Sequence, residues 1–230
     1  RDGQHASTGP MRWAAPGGLR SLAEHLAGGL DLRLRRSVRS VEPGPLVDGE
    51  PADAVVLAMP GPQARRLLHP RLVATITAAQ AQRWSPTLAT VLHYPARAWD
   101  DFAGAFVNGH PVLTSVFDDG DRRGDRAPVL VAHCTEQFAR PHADDPPAAG
   151  TAVEGAVRDL LGLPMAASRV HVHRWSFAQP QPPADATAAG FHLDDTERVA
   201  LVGDAFGPPR VQTAWLSGHR LGRTMAALGR

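Results

Sequence analysis

The sequence predicts a mixed α/β fold in which a discontinuous nucleotide-binding domain is interrupted by an inserted α+β domain. Two continuous apolar runs, residues 54–59 and 199–202, lie far apart in the chain and are typical of strands buried on both faces of a sheet. The stretch between them alternates apolar and polar residues, as antiparallel strands do. We therefore expect residues 1–60 and 183–230 to form the discontinuous nucleotide-binding domain, and residues 61–182 the inserted substrate-binding domain.

The first elements are predicted from helical and strand periodicity. Apolar residues recur at helical spacing over residues 19–26, and Gly28 follows as a helix end. Over residues 30–36, “LDLRLRR”, leucine alternates with charged residues, which is the period-two pattern of a half-buried strand. We expect a second strand to carry Val38 and Val41.

The middle of the chain predicts an antiparallel sheet with one long helix. The stretches “PTLATVLHYP”, “RAPVLVAHCTEQ” and “RVHVHRWSFAQP” have the character of strands, and “TAVEGAVRDLLGL” that of an amphipathic helix. Thr151 and Glu154 are spaced as a capping box at the start of this helix. Residues 118–126 and “RPHADDPPAAG” are expected to be polar loops whose aspartates are solvated.

Composition excludes several kinds of function. All 24 Lys and Arg residues are arginine, so a lysine Schiff base and a Walker-A phosphate loop are excluded within this chain. The formal net charge of +1 argues against a surface for nucleic acid or an anionic membrane. Cys134 is the only cysteine, which excludes an intrachain disulfide and a thiolate metal site. Since no apolar run approaches the roughly 18 residues of a membrane span, we expect a soluble, cytoplasmic protein that acts on a small-molecule substrate.

The most informative stretch is “RVALVGDAFGPPRVQTAWLSGHRLGRTMAALGR”, residues 198–230. Gly203 and Asp204 place a carboxylate just beyond the carboxyl end of a strand, where ligands bind in open α/β sheets. The helix that follows would offer the backbone N–H groups of residues 211–213, together with its dipole, to an anion such as phosphate. A packing helix that merely follows an acidic turn would have the same pattern.

Four stretches, in order along the chain, resemble the FAD-dependent amine oxidase superfamily, and most closely its bacterial renalase-like branch. They are “WAAPGGLRSLAEHLAGGLDLRLRRSVRSVEP”, “ADAVVLAMPGPQARRLL”, “HRWSFAQP” and “VGDAFGPPRVQTAWLSGHRLGRTM”. The last resembles the family's C-terminal FAD motif, in which Gly-Asp is followed by an Arg-Val-(Glu)-x-Ala-(Trp/Phe)-x-Ser-Gly helix. The resemblance spans nearly the whole chain and implies a two-domain, FAD-dependent fold.

The resemblance also implies roles for individual residues. Asp204 would bond the ribityl or pyrophosphate region of FAD, and Gly203 would let the backbone approach closely. Val38 would meet the adenine through its backbone, and Trp175 and Phe177 would border the substrate side of the flavin ring. The other implied cofactor-binding residues, at the helix start and at the domain crossing, are Arg210, Val211, Gln212, Ala214, Met59 and Pro60.

Two features depart from the family pattern. Gln212 stands where an acidic residue is usual. The GxGxxG motif, which holds the FAD pyrophosphate after the first strand in such proteins, does not occur in the sequence. We therefore expect a C-terminal portion of the fold that lacks the first Rossmann βαβ unit, a unit of about 30 residues or more.

Other candidate sites are weaker. His171 and His173 alternate on one strand face, but no further ligand is identifiable, so we expect no metal site. His133 and Cys134 are adjacent in a strand and therefore point to opposite faces, which separates a candidate base from a candidate nucleophile. The serine in “WLSGH” lies inside a predicted helix and lacks the sharp turn that exposes a hydrolase nucleophile.

The sequence thus predicts an FAD-dependent oxidoreductase that transfers a hydride from a small amine or dihydropyridine-type substrate to the flavin. It assigns no catalytic residue, electron acceptor or oligomeric state. The alternative is a truncated, non-catalytic fragment that does not bind FAD, because one aspartate and a helix N-terminus are only part of such a site. An NAD-binding module is a third and weaker interpretation, since the same glycine-rich loop is lacking.

Overall fold

The computed structural model describes Ala15, residues 17–181 and residues 189–229. The helices in these ranges are α1 (Arg20–Leu26), α2 (Gly61–Ala64), α3 (Val73–Ala81), α4 (Asp119–Arg123), α5 (Glu136–Ala139), α6 (Gly150–Leu161) and α7 (Val211–Ala227). The strands are β1 (Val41–Glu42), β2 (Leu46–Val47), β3 (Glu50–Pro51), β4 (Val55–Leu57), β5 (Trp84–His93), β6 (Gly104–Phe106), β7 (Leu113–Asp118), β8 (Val129–Cys134), β9 (Arg169–Pro180), β10 (His192–Asp194) and β11 (Val199–Leu201).

The chain divides into two compact units, each drawn from two separate stretches of sequence. The first unit takes in the chain up to Arg33 together with Leu88–His173. The second takes in Leu34–Thr87 together with the chain from Arg174 onward. Within the described ranges, none of the helices combines the length and the apolar character that crossing a bilayer requires.

The larger sheet has five strands in the order β6-β7-β8-β5-β9. β6, β7, β8 and β5 pair antiparallel in turn, which confirms the antiparallel middle that the alternating sequence predicts. One face of these strands packs on α6, and Val153 and Val157 of that helix are fully buried. The buried members of this first core are Leu88, Leu92, Tyr94, Leu113, Val116, Leu130, Ala132, Cys134, Ala139, Ala149, Val153, Val157 and Leu163.

The smaller sheet has the order β10-β11-β4 and lies in the second unit. β11 and β4 run parallel, with Val199 opposite Val55 and Leu201 opposite Leu57. The two apolar runs from distant parts of the sequence are therefore neighbours, as their strand character predicts. The buried members of the second core are Val41, Leu57, Ala64, Leu68, Leu72, Ala79, Val199 and Leu201. β1, β2 and β3 form a separate antiparallel meander.

The prediction of two fully buried strands holds for β11 and is wrong for β4. All three residues of β11 are buried, whereas Val56 in β4 is 44% exposed. β4 is also shorter than the predicted run over residues 54–59. A strand is buried on both sides only when neighbours cover both its faces and both its edges. Within the described residues β11 lies between two strands, and β4 lies at the edge of the sheet.

The strand predicted over residues 30–36 does not form. This segment is irregular with one turn, Arg35 has a φ of 58°, and Leu34 is 75% exposed. A strand needs a partner for its backbone N–H and C=O groups, and among the described residues no strand pairs with this segment. The second predicted strand begins only at Val41, so Val38 lies in the irregular segment before β1. α1 forms where predicted.

The capping box predicted for α6 is also wrong. A 3₁₀ turn over Pro146–Ala149 leads straight into the helix, which begins at Gly150 and has no side-chain cap. Thr151 therefore lies inside the helix. The carboxylate of Glu154 is buried and accepts a hydrogen bond of 3.2 Å from the backbone N–H of Ala167. It thus bonds the segment after the helix rather than the helix start.

The polar stretch at residues 118–126 is partly helical, and its first aspartate is not solvated. Asp118 is fully buried at the start of α4, and its side chain accepts a hydrogen bond from the backbone N–H of Asp121. Its carboxylate also accepts hydrogen bonds of 2.8 Å from the guanidinium of Arg97 and from the indole N–H of Trp99. Asp118 is therefore both a helix cap and a buried counter-ion.

Candidate functional site

The turn after β11 has a backbone conformation that favours glycine. Gly203 has φ 149° and ψ −176°, a region that residues with a Cβ rarely adopt. A Cβ at Gly203 would meet no atom within 4 Å. Glycine is therefore favoured here by the backbone conformation and not by a lack of room for a side chain. The backbone N–H of Gly203 donates a hydrogen bond of 3.1 Å to the hydroxyl of Ser217 in α7. Ser217 thus holds the turn, a role that its position inside a predicted helix did not indicate.

Asp204 follows this glycine and begins a 3₁₀ turn over Asp204–Phe206. Its side chain is half-buried. Burial raises the pKa of the Asp204 carboxyl above its ordinary value, and a hydrogen bond from its own backbone N–H opposes that shift only in part. No other described residue donates a hydrogen bond to this carboxylate. A partly buried acceptor that receives no hydrogen bond from any other described residue suits a ligand that carries hydroxyl groups, such as the ribityl chain or ribose of a dinucleotide.

The N-terminus of α7 offers two backbone donors rather than the predicted three. Arg210 precedes the helix, and its carbonyl accepts the N–H of Thr213 at 3.0 Å and that of Ala214 at 3.2 Å. The N–H of Thr213 is therefore not available to a ligand. The N–H groups of Val211 and Gln212 have no acceptor among the described residues, since α7 has no side-chain cap. With the exposed guanidinium of Arg210, they can receive an anion.

The two faces of α7 differ. Ser217 and Leu221 are buried, whereas Val211 and Trp215 are exposed. The indole of Trp215 stacks on the ring of His219 with centroids 4.9 Å apart. The predicted cofactor residue Ala214 lies between these faces and is half-buried. The start of the helix therefore combines unpaired backbone N–H donors with access for a ligand.

A depression of about 380 Å³ lies beside this turn, and none of the predicted cofactor-binding residues lines it. Arg220 forms part of its wall, and its guanidinium lies so close to Gly190 that a Cβ there would be 2.8 Å from a guanidinium nitrogen. The lining residues are Gly190, Phe206, Gly207, Pro208, Thr213, Leu216, Ser217 and Arg220.

The parallel pairing brings two predicted parts of the site to one sheet edge. The carbonyl of Leu57 in β4 accepts the N–H of Val202 at 3.2 Å, just before Gly203. Met59 and Pro60 follow β4 as Gly203 and Asp204 follow β11, so both pairs lie at the carboxyl ends of adjacent parallel strands. Ligands of open α/β sheets bind at such an edge. Met59 is half-buried against the second core, and Pro60 precedes α2.

The remaining predicted residues lie on other elements. Val38 is in the irregular segment before β1, and Trp175 and Phe177 are on β9. Trp175 is 53% exposed and Phe177 is half-buried. His171 and His173 are also on β9, and within the described ranges no three His, Cys, Asp or Glu side chains are grouped to hold a metal ion.

A family described as flavin containing amine oxidoreductase matches residues 4–224. No curated protein sequence matches the chain.

Solved structures match the fold over most of the chain. A putative protoporphyrinogen oxidase from Exiguobacterium sp. 255-15 is similar with a TM-score of 0.63 and 17% identity, over 94% of this chain and 52% of its own. A putrescine oxidase double mutant, made to redesign cofactor binding, is similar with a TM-score of 0.67 and 18% identity, over 92% of this chain and 53% of its own.

The chain thus spans about half the length of each of these oxidases. At such identities the likeness shows the fold, and it confirms the predicted mixed α/β, amine-oxidase-like class. The family match covers almost all of the sequence and confirms the resemblance drawn from its motifs. The chain belongs to the family of flavin-containing amine oxidoreductases.

Proposed function

We propose that this chain is part of a renalase-like, FAD-dependent oxidoreductase that removes a hydride from a small amine or dihydropyridine-type substrate. Family membership supports flavin oxidoreductase chemistry in general. The observation that carries the choice of a dinucleotide flavin is the half-buried Asp204 carboxylate, to which no other described residue donates a hydrogen bond and which lies next to the uncapped start of α7. Hydroxyl groups and a pyrophosphate are what these two features would bind.

In this proposal the edge formed after β4 and β11 holds the cofactor. Asp204 accepts hydrogen bonds from its hydroxyl groups, and the Gly203 turn lets the backbone come close. The N–H groups of Val211 and Gln212 and the guanidinium of Arg210 bind the pyrophosphate. When bound, the flavin ring supplies the hydride acceptor. The residues are suited to this group because the unpaired N–H groups of Val211 and Gln212 and the carboxylate of Asp204 match its polar atoms.

The substrate side is formed by aromatic residues in this proposal. Trp175 and Phe177 would border the substrate, orient it by stacking and exclude water. The proposed division assigns residues 1–60 and 183–230 to FAD binding and residues 61–182 to substrate binding. No residue is assigned a proton transfer. The proposed setting is the cytoplasm, with a small molecule and not a nucleic acid as partner.

A titration of the 230-residue chain with FAD, followed by flavin fluorescence, tests the proposal. We expect saturable binding that Asp204→Asn weakens by about tenfold or more, because a charged acceptor is lost. Asp53→Asn is the matched control, since Asp53 is exposed in the same unit, and it should bind as the wild type does.

The outcomes separate the proposal from its alternative. Saturable binding that depends on Asp204 would support an FAD site. A folded chain without saturable binding would support the truncated, non-catalytic fragment instead. Equal binding by both aspartate variants and the wild type would contradict the role of Asp204.

A further inference from the structure

The larger sheet carries a polar pair, one member buried and the other half-buried, on the face opposite the first core. The registers place Phe106, Ser115, His133 and Ala89 opposite one another across β6, β7, β8 and β5. Residues that are directly opposite in antiparallel strands point to the same face. Their neighbour Ala132 belongs to the first core, so this row points away from it.

The pair consists of Ser115 and His133. The Oγ of Ser115 lies 3.2 Å from Nδ1 of His133, and Ser115 is only 4% exposed. This is the only hydrogen bond of that hydroxyl within the described residues. Because a buried hydroxyl hydrogen needs an acceptor, we assign Ser115 as the donor and Nδ1 as the acceptor. The ring proton of His133 then lies on Nε2, which becomes a hydrogen-bond donor.

Aromatic rings surround this pair. The ring of Phe117 lies edge-on to that of His133, with centroids 5.7 Å apart, and edge-on to Phe106 at 6.3 Å. A Cβ at Gly104 would be 2.4 Å from the Phe117 ring, so this ring packs directly over the backbone of β6. The surroundings are therefore suited to an apolar, aromatic group.

A guanidinium lies beside the same rings. The Cζ of Arg122 is 5.1 Å from the centroid of Phe117, and Arg122 is half-buried. Burial and then the charge of Arg122 lower the pKa of His133, which keeps its imidazole neutral. Arg122 has no carboxylate within 4 Å among the described residues, whereas the next arginine, Arg123, pairs with Asp119 at 2.6 Å.

We propose that Arg122 and the Nε2–H of His133 bind the carboxylate of a small aromatic acid, with Phe106 and Phe117 contacting its ring. A guanidinium and a second N–H donor match the two oxygens of a carboxylate. The site goes beyond the proposed oxidoreductase function, because neither its residues nor its test involves a flavin.

Benzoate is the probe for this site. The 230-residue chain is titrated with sodium benzoate while the ring signals of His133 and Phe117 are followed by NMR. We expect saturable shifts and a His133 ring in the Nε2–H form. Arg122→Gln should weaken benzoate binding by about tenfold or more. Arg123→Gln removes an equal charge one residue away and should leave the affinity unchanged.

Two further measurements keep the test decisive. Benzamide has the same ring without the charge and should not bind. Ser115→Ala leaves Arg122 in place and should weaken the binding of benzoate. Without the Ser115 hydroxyl, the ring proton of His133 is no longer held on Nε2. The amide spectrum of each variant reports whether it folds. The proposal is overturned if benzoate binding does not saturate, or if the two arginine variants weaken it equally. It is also overturned if benzamide binds as tightly as benzoate, or if Ser115→Ala leaves the affinity for benzoate unchanged. A His133 ring proton found on Nδ1 would overturn it as well.

Discussion

The backbone N–H of Gly203 donates a hydrogen bond of 3.1 Å to the hydroxyl of Ser217, which joins the turn after β11 to the second turn of α7. Ser217 is 2% exposed, so this bond is formed out of contact with water. Gly203 has the extended, positive-φ conformation that only glycine adopts easily. The bond therefore holds the backbone from which Asp204 projects.

Replacing Ser217 by alanine should destabilise the chain. The N–H of Gly203 would lose its acceptor in a buried setting, which costs about 1–3 kcal/mol of the free energy of unfolding. Urea denaturation measures the loss, and Ser37→Ala, at an exposed position, is the control. A Ser217→Ala variant with the wild-type midpoint would show that water or another group replaces the hydroxyl. Where FAD binds, this variant should also bind it more weakly, because the turn is no longer held.

Replacing Asp204 by asparagine should raise stability. The folded-state pKa of Asp204 lies above the ordinary value of 3.8, so the folded chain holds this proton to higher pH than the unfolded chain. Stability is therefore lost as pH rises from 3.8 through the folded pKa, and the loss is complete above the folded pKa. The neutral amide avoids this cost. We expect a higher melting temperature for Asp204→Asn at neutral pH and a smaller difference in acid; a lower melting temperature at neutral pH would contradict the argument.

The half-buried imidazole of His133 should contribute to acid sensitivity. Burial and Arg122 lower its pKa in the folded state below the ordinary value of 6.5. The unfolded chain then binds a proton more readily, so stability is constant above 6.5 and falls as pH decreases from there to the folded pKa. His133→Gln should reduce the slope of unfolding free energy against pH in this range. If the slope is unchanged, the acid sensitivity comes from other groups and not from His133. His93 and His192 are examples, because burial also lowers their pKa values.

Replacing Asp118 by alanine should destabilise the first unit strongly. Its fully buried carboxylate pairs with Arg97 and accepts the indole N–H of Trp99, so its removal leaves a mostly buried guanidinium without its main partner. Breaking such a pair costs about 3–5 kcal/mol. Asp101→Ala is the matched control, because Asp101 also bonds Arg97 but is exposed, and urea midpoints should change little for it. Similar midpoints for the two variants would contradict the assignment of Asp118 as the buried counter-ion.

Much of the fold could be predicted from local pattern. β11, α6 and α7 lie where the apolar run and the helical spacing of apolar residues predict them. Burying one side of such an element requires apolar residues at a regular spacing, and this spacing can be seen in the local sequence. The Gly-Asp turn at Gly203 was also predicted from local sequence, because the backbone conformation of the turn itself favours glycine. The family could be assigned from four ordered motifs for which neither composition nor charge was needed.

Other features depend on residues that are distant in sequence. The alternating leucines at residues 30–36 have the pattern of a strand, but a strand forms only where another strand supplies hydrogen bonds. The aspartate at 118 has the sequence context of a solvated loop, yet Arg97 and Trp99 surround it. A local pattern cannot report such partners.

The sequence by itself thus determined the class of fold, the family and the chemical character of the turn and helix at residues 203–213. Only the tertiary structure decided that β4 and β11 are parallel neighbours, that Ser217 holds Gly203, and that Ser115 meets His133. The physical reason is that periodicity records whether a side chain is buried, whereas hydrogen bonds and ion pairs depend on which group lies opposite it.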